Sequence, residues 1–118
     1  MSRRICVLII ASSGPFRDGL RILLQANPAI AQVALSDTLD DGSRSIAQQS
    51  PDAIVVDADL LDPAVFEAQL GQLKILTPHT LRLIIVHTQT QQQWVRNAGL
   101  PALLAGFTAE DLFAAILS

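Results

Sequence analysis

A single cysteine, Cys6, is the entire thiol content of this 118-residue chain. That excludes an internal disulfide and a cysteine-built metal cluster, and its place inside an apolar run marks it as a small core residue. Charge is scarce as well. Only 16% of residues are charged, the formal net charge is −3, and the cations Arg3, Arg4, Arg17, Arg21, Arg44, Lys74, Arg82 and Arg96 are scattered. Without a basic stripe, direct nucleic-acid binding by this domain is not expected. Long apolar runs are also missing. The longest, Ile5 to Ala11, is far too short to span a bilayer, and Arg3-Arg4 ahead of it lacks a signal-peptide cleavage pattern. The expectation is a cytoplasmic protein with no membrane partner. There is no Gly-rich dinucleotide fingerprint and no phosphate loop with its Lys-Ser/Thr, so nucleotide binding has no support. No repeat, linker or low-complexity tract divides the chain, which reads as one domain over residues 1–118.

Half of the residues are hydrophobic, and they fall into runs that alternate with amphipathic stretches. Arg4 to Ile10 reads as a first strand, and Phe16, Leu20, Leu23 and Leu24 recur at helical spacing until Asn27-Pro28. Gln32 to Leu35 is a short second strand, followed by a weak helical stripe through Leu39, Ile46 and Ala47. Asp52-Ala53-Ile54-Val55-Val56-Asp57 is apolar at every inner position, as a strand buried on both faces must be. Asp62-Pro63 pairs an N-cap with proline at the first helical position, and Phe66, Leu70 and Leu73 follow. Leu83 to Val86 is a fourth strand delivering His87-Thr88 to the same edge as Asp57. Thr90 to Ala98 is a polar helix carrying Trp94, and Ala102 to Ala105 a brief last strand. Thr108-Ala109-Glu110-Asp111 is a capping-box start for a final helix whose apolar face is Leu112, Phe113, Ile116 and Leu117. Five strands alternating with helices make a five-stranded doubly wound parallel sheet of α/β class.

On these residues the chain resembles the receiver domain of two-component response regulators over its whole length. The stretch Phe16 to Leu24 is similar to the first helix of receivers that precede LuxR/NarL-type DNA-binding domains. Pro51 to Asp57 is similar to the strand that ends at the family's phosphoacceptor aspartate, which Asp57 matches. The resemblance implies the flavodoxin-like, CheY-like fold and a phosphorelay site using Mg²⁺ held partly by an acidic pair. Here the acidic-pair positions hold Ala11 and Ser12, and the position of the family's phosphate-pairing lysine holds Ala105 or Gly106. Thr88, or His87 if the register is one earlier, falls where the family keeps a switch hydroxyl. The stretch from Thr88 to Gly99 is shorter than a receiver's fourth helix by about one turn, ~4 residues.

Mg²⁺ takes oxygen ligands, usually including carboxylates, so no resident cofactor is expected. Asp59 and the carbonyl beside it offer at most a weak Mg²⁺ site. Asp57 is then a strand-end residue bonded to nearby backbone. Ser12-Ser13-Gly14 reads as ordinary capping rather than an anion site. His79 and His87 share no helix face and no third ligand is evident, so they are not a metal pair. Trp94 either packs on the sheet or anchors an interface, and the same choice applies to Phe113 and Leu117. The leading reading is a non-enzymatic, degenerate pseudo-receiver. It acts in signal transduction as a dimerisation or interaction module, as the regulatory part of a transcriptional regulator. Its partners are a second copy, an output domain or a histidine kinase. The alternatives are a working phosphorelay switch at Asp57 and a small-ligand receptor ringed by Ser12, Asp57 and Thr88.

Overall fold

The computed structural model describes residues 4–117; Arg3, counted above among the cations, lies outside them. Strands β1 (Ile5–Ile10), β2 (Ile30–Ser36), β3 (Ala53–Asp57), β4 (Leu81–Val86) and β5 (Ala102–Leu104) alternate with helices α1 (Pro15–Gln25), α2 (Leu39–Gln49), α3 (Phe66–Leu76), α4 (Gln89–Asn97) and α5 (Ala109–Leu117). All strand pairs are parallel, in the order β2-β1-β3-β4-β5. That is the doubly wound arrangement expected from the alternation of runs.

The two-faced burial of the central strands is literal. Leu8, Ile10, Ile54, Val56, Ile84 and Val86 face one core, closed by Ile46 of α2, Leu70 and Leu73 of α3 and Val95 of α4. Val7, Ile9, Ala53, Val55, Leu83 and Ile85 face the other, closed by Leu20 and Leu24 of α1 and Leu112 and Ile116 of α5. Period-2 alternation therefore sends successive side chains into different cores, and neither face tolerates a polar residue.

The weak stripe over 39–49 does form a helix, because its start is capped. The Thr38 hydroxyl accepts from the Asp41 N–H at 3.0 Å, and Ser50 ends the helix in the left-handed conformation with φ 47°. Gly42 lets this helix approach the sheet: a Cβ there would come within 2.5 Å of Ile10 Cδ1. The capping box of α5 is reciprocal, Thr108 Oγ1 accepting from Asp111 N at 3.1 Å and Asp111 Oδ2 from Thr108 N at 3.2 Å.

Three expectations are corrected. Helix α3 starts at Phe66, not at Pro63, because Asp62 builds a turn instead. Its Oδ1 accepts from Ala64 N and its carbonyl from Val65 N, and such local bonds compete with helix initiation. Cys6 is only partly buried and belongs to neither core, since it sits near the outer end of β1. Leu117 does not join the buried face of α5 and is 38% exposed, whereas Phe113 packs partly against the second core.

Leu70 of α3 is fully buried against the sheet, so Leu70→Ala is expected to cost about 2–5 kcal/mol. The exposed Ile22 of α1 is expected to change stability by less than about 0.5 kcal/mol on replacement by alanine. Urea denaturation of both variants checks the contrast.

Candidate functional site

The carboxyl ends of β1, β3 and β4 meet at one edge of the sheet. The strand order reverses between β1 and β3, and in open α/β sheets the crevice beyond that point is where ligands bind. Asp57 closes β3 there. It is 9% exposed, so its carboxylate needs donors, and two are supplied. The Asp59 N–H donates to Oδ1 at 3.0 Å from the short 3-10 turn Ala58–Leu60. His87, the residue after β4, brings Nε2 within 2.7 Å of the same oxygen. A carboxylate oxygen accepts, so Nε2 is the donor in this contact.

The neighbours hold that imidazole in place. Phe16 of α1 packs edge-on against the ring with centroids 5.1 Å apart. Gln91, in the first turn of α4, accepts from the His87 backbone N–H through Oε1 at 2.7 Å and donates from Nε2 to Asp59 Oδ1 at 2.8 Å. The other Asp59 oxygen, Oδ2, lies 3.7 Å from His87 Nε2. Asp57, Asp59, His87 and Gln91 thus form one hydrogen-bonded group joining β3, β4 and the start of α4.

Of the two registers considered for the switch position, it is His87 that reaches Asp57. Thr88 is exposed and caps α4, its Oγ1 accepting from Gln91 N at 3.1 Å. Asp57 is bonded to His87 and to the Asp59 N–H, and Ser12 and Thr88 are both exposed. Ala11 is fully buried and its N–H bonds to the Ser36 carbonyl at 3.0 Å, while Ser12 is exposed. Neither brings a charge to Asp57. Ala105 continues the pairing edge by donating to Val86 O at 2.8 Å, and Gly106 turns the chain with φ 95°. Trp94 stacks on Phe66 of α3 at 4.4 Å and 12°, so it packs between two helices.

Arg17 of α1, one of the scattered cations, is partly buried at this edge. Its NH1 lies 2.5 Å from Asp37 Oδ1 and 3.4 Å from the Ala11 carbonyl. Neither Arg17 nor Gln91 was singled out from the sequence; an arginine in a helix's first turn opposite an aspartate at a strand end is the signal that Arg17 carried.

No protein-family model matches this chain, and no curated protein matches it by sequence. Solved structures do, and they define the class: the chain has the fold of CheY-like response-regulator receiver domains. A receiver domain protein from Clostridium thermocellum superposes with a TM-score of 0.78 at 21% identity, covering 96% of this chain and 91% of that one. A putative pilus assembly-related protein from Burkholderia pseudomallei K96243 gives 0.78 at 18% identity, with coverages of 98% and 88%. The isolated REC domain of RcsB from Salmonella enterica serovar Typhimurium, solved in the presence of phosphomimetic BeF3-, gives 0.76 at 13% identity, with coverages of 93% and 83%. No helix among the described residues is long and apolar enough to cross a membrane.

Of the carboxylates at this edge, Asp57 is held by His87 Nε2 and Asp59 by Gln91 Nε2; the imidazole beside them is a ligand that a hard ion such as Mg²⁺ disfavours.

Removing the imidazole leaves a nearly buried carboxylate short of a donor. His87→Ala is expected to lower stability by about 1–3 kcal/mol. Combined with Asp57→Asn it is expected to show a coupling of about 0.5–3 kcal/mol in a double-mutant cycle. Chemical denaturation of the four proteins measures both.

Proposed function

We propose that this chain is a non-enzymatic pseudo-receiver, a protein-interaction module that signals without Mg²⁺-dependent aspartyl phosphorylation. The observation that carries this reading is the occupation of Asp57 Oδ1 by His87 Nε2 at 2.7 Å and by the Asp59 N–H at 3.0 Å. Phosphoryl transfer depends on metal ions and cations that neutralise charge developing on the transferred group. At this site the positions that would supply them are Ala11, Ser12 and either Ala105 or Gly106, and a histidine holds the acceptor. The aspartate serves as a structural anchor.

The interaction surface is the edge formed by β5 and α5. Leu104 is 51% exposed on the edge strand, and Leu117 lies exposed on the neighbouring helix. Edge strands with apolar side chains are templates for association, and a second copy of the chain is the partner this surface serves. The module then acts as the regulatory part of a transcriptional regulator, through an attached or partner output domain. Proteins of this fold range from a receiver domain protein to a putative pilus assembly-related protein, so the fold alone does not choose the output.

Incubation with acetyl phosphate and Mg²⁺, read by intact mass, is expected to add no phosphoryl group at Asp57. Light scattering is expected to find a dimer that Leu104→Glu or Leu117→Glu converts to monomer. A phosphorylated species that disappears in Asp57→Asn would overturn the reading, and a monomer at all concentrations would remove the dimerisation part.

A further inference from the structure

The donor set that does not suit Mg²⁺ suits another kind of ion. Asp57, Asp59 and His87 each present a ligand atom, and these atoms lie within 4.8 Å of one another. Two carboxylates with one imidazole match divalent first-row ions of borderline softness, which accept nitrogen and oxygen together, whereas Mg²⁺ and Ca²⁺ are bound by oxygen alone. We propose that Asp57, Asp59 and His87 form a binding site for such an ion, with Zn²⁺ as its representative, in place of the Mg²⁺ and phosphoryl group of receivers. This deepens the preceding reading and rests on it, because it names what the same site takes instead.

The distances are close to those a bound ion requires. Donors at about 2.0–2.2 Å from a tetrahedral zinc are about 3.3–3.6 Å from each other. His87 Nε2 stands 2.7 Å from Asp57 Oδ1 and 3.7 Å from Asp59 Oδ2. The three donor atoms, all within 4.8 Å of one another, reach that spacing by shifts of about an ångström, and the ion takes the place of the hydrogen-bonded proton on Nε2. The Asp59 side chain is 59% exposed and that of His87 25%, so the site has an entry path and room for water as a fourth ligand.

Groups outside the ligand set already point the donors inward. Gln91 binds Asp59 Oδ1 and leaves Oδ2 turned to His87, and it also holds the His87 backbone. Phe16 sets the plane of the imidazole. Partners of this kind orient metal ligands and raise affinity. Because Gln91 lies in the first turn of α4, a change in the positions of Asp59 and His87 is transmitted to the start of that helix. Metal occupancy is thereby coupled to α4 without a phosphoryl group.

The test is an NMR titration of the whole 118-residue chain with ZnCl₂ and separately with MgCl₂, with and without beryllium fluoride. Variants His87→Gln, Gln91→Ala and His79→Gln, and a Cys6→Ser control, are first checked for folding by circular dichroism. His87→Gln retains a hydrogen-bond donor toward Asp57 and loses the imidazole. Zn²⁺ is expected to give saturable shifts at Asp57, Asp59, His87 and the first turn of α4. His87→Gln is expected to weaken binding by at least about 100-fold and Gln91→Ala by about 10-fold, while His79→Gln and Cys6→Ser leave it within about 2-fold. Zinc shifts centred on His79 or Cys6, or no saturable zinc response at these three residues, would overturn the metal site and leave the pseudo-receiver reading standing. Mg²⁺ binding at least as tight as Zn²⁺, together with a beryllium fluoride response at Asp57, would overturn both.

Discussion

Burial of β3 on both faces is the constraint from which the rest of the structure follows. Ile54, Val55 and Val56 have no access to solvent, and their side chains go alternately to the core under α2, α3 and α4 and to the core under α1 and α5. A strand in that position carries polar groups only at its ends. Asp57 is the first residue past the apolar run, and it is still only 9% exposed. Its charge therefore has to be answered by donors that the surrounding strands and turns bring in.

That demand is met by groups of the chain's own. A receiver meets it with a metal ion, held by carboxylates, and a lysine. Here a neighbouring imidazole and a backbone N–H do so, and Ala11 is buried beside the sheet. The exchange has a structural consequence as well as a chemical one. Through His87 and Asp59, each of which is bonded to Gln91, the aspartate is linked to the first turn of α4.

Much of the architecture was legible because local pattern encodes it. Runs such as Ile54-Val55-Val56 and Ile84-Ile85-Val86 announce two-faced burial, and the capping residues Thr108 and Asp111 announce a helix start; both are settled within a few residues of sequence. The boundaries that shifted did so where two local interactions compete. Asp62 serves a turn with Ala64 and Val65 rather than a helix cap, and the helix of 39–49 depends on Thr38 and on Gly42 fitting beneath Ile10, features with little hydrophobic signal. Leu117 and Cys6 were misjudged by periodicity alone, since apolar spacing cannot say where a core stops.

By itself the sequence determined the five alternating elements, the central strand, and the aspartate at its carboxyl end, because hydrophobic periodicity and turn chemistry act over short distances. Only the tertiary structure decided what that aspartate touches. Parallel pairing sets Asp57 opposite Ile85, and side chains alternate with a period of two, so His87 and not Thr88 falls on the same side as the carboxylate. A shift of one residue in that register would have put a hydroxyl there. Register between strands ~30 residues apart is fixed by packing across the whole sheet, which no short stretch of sequence contains.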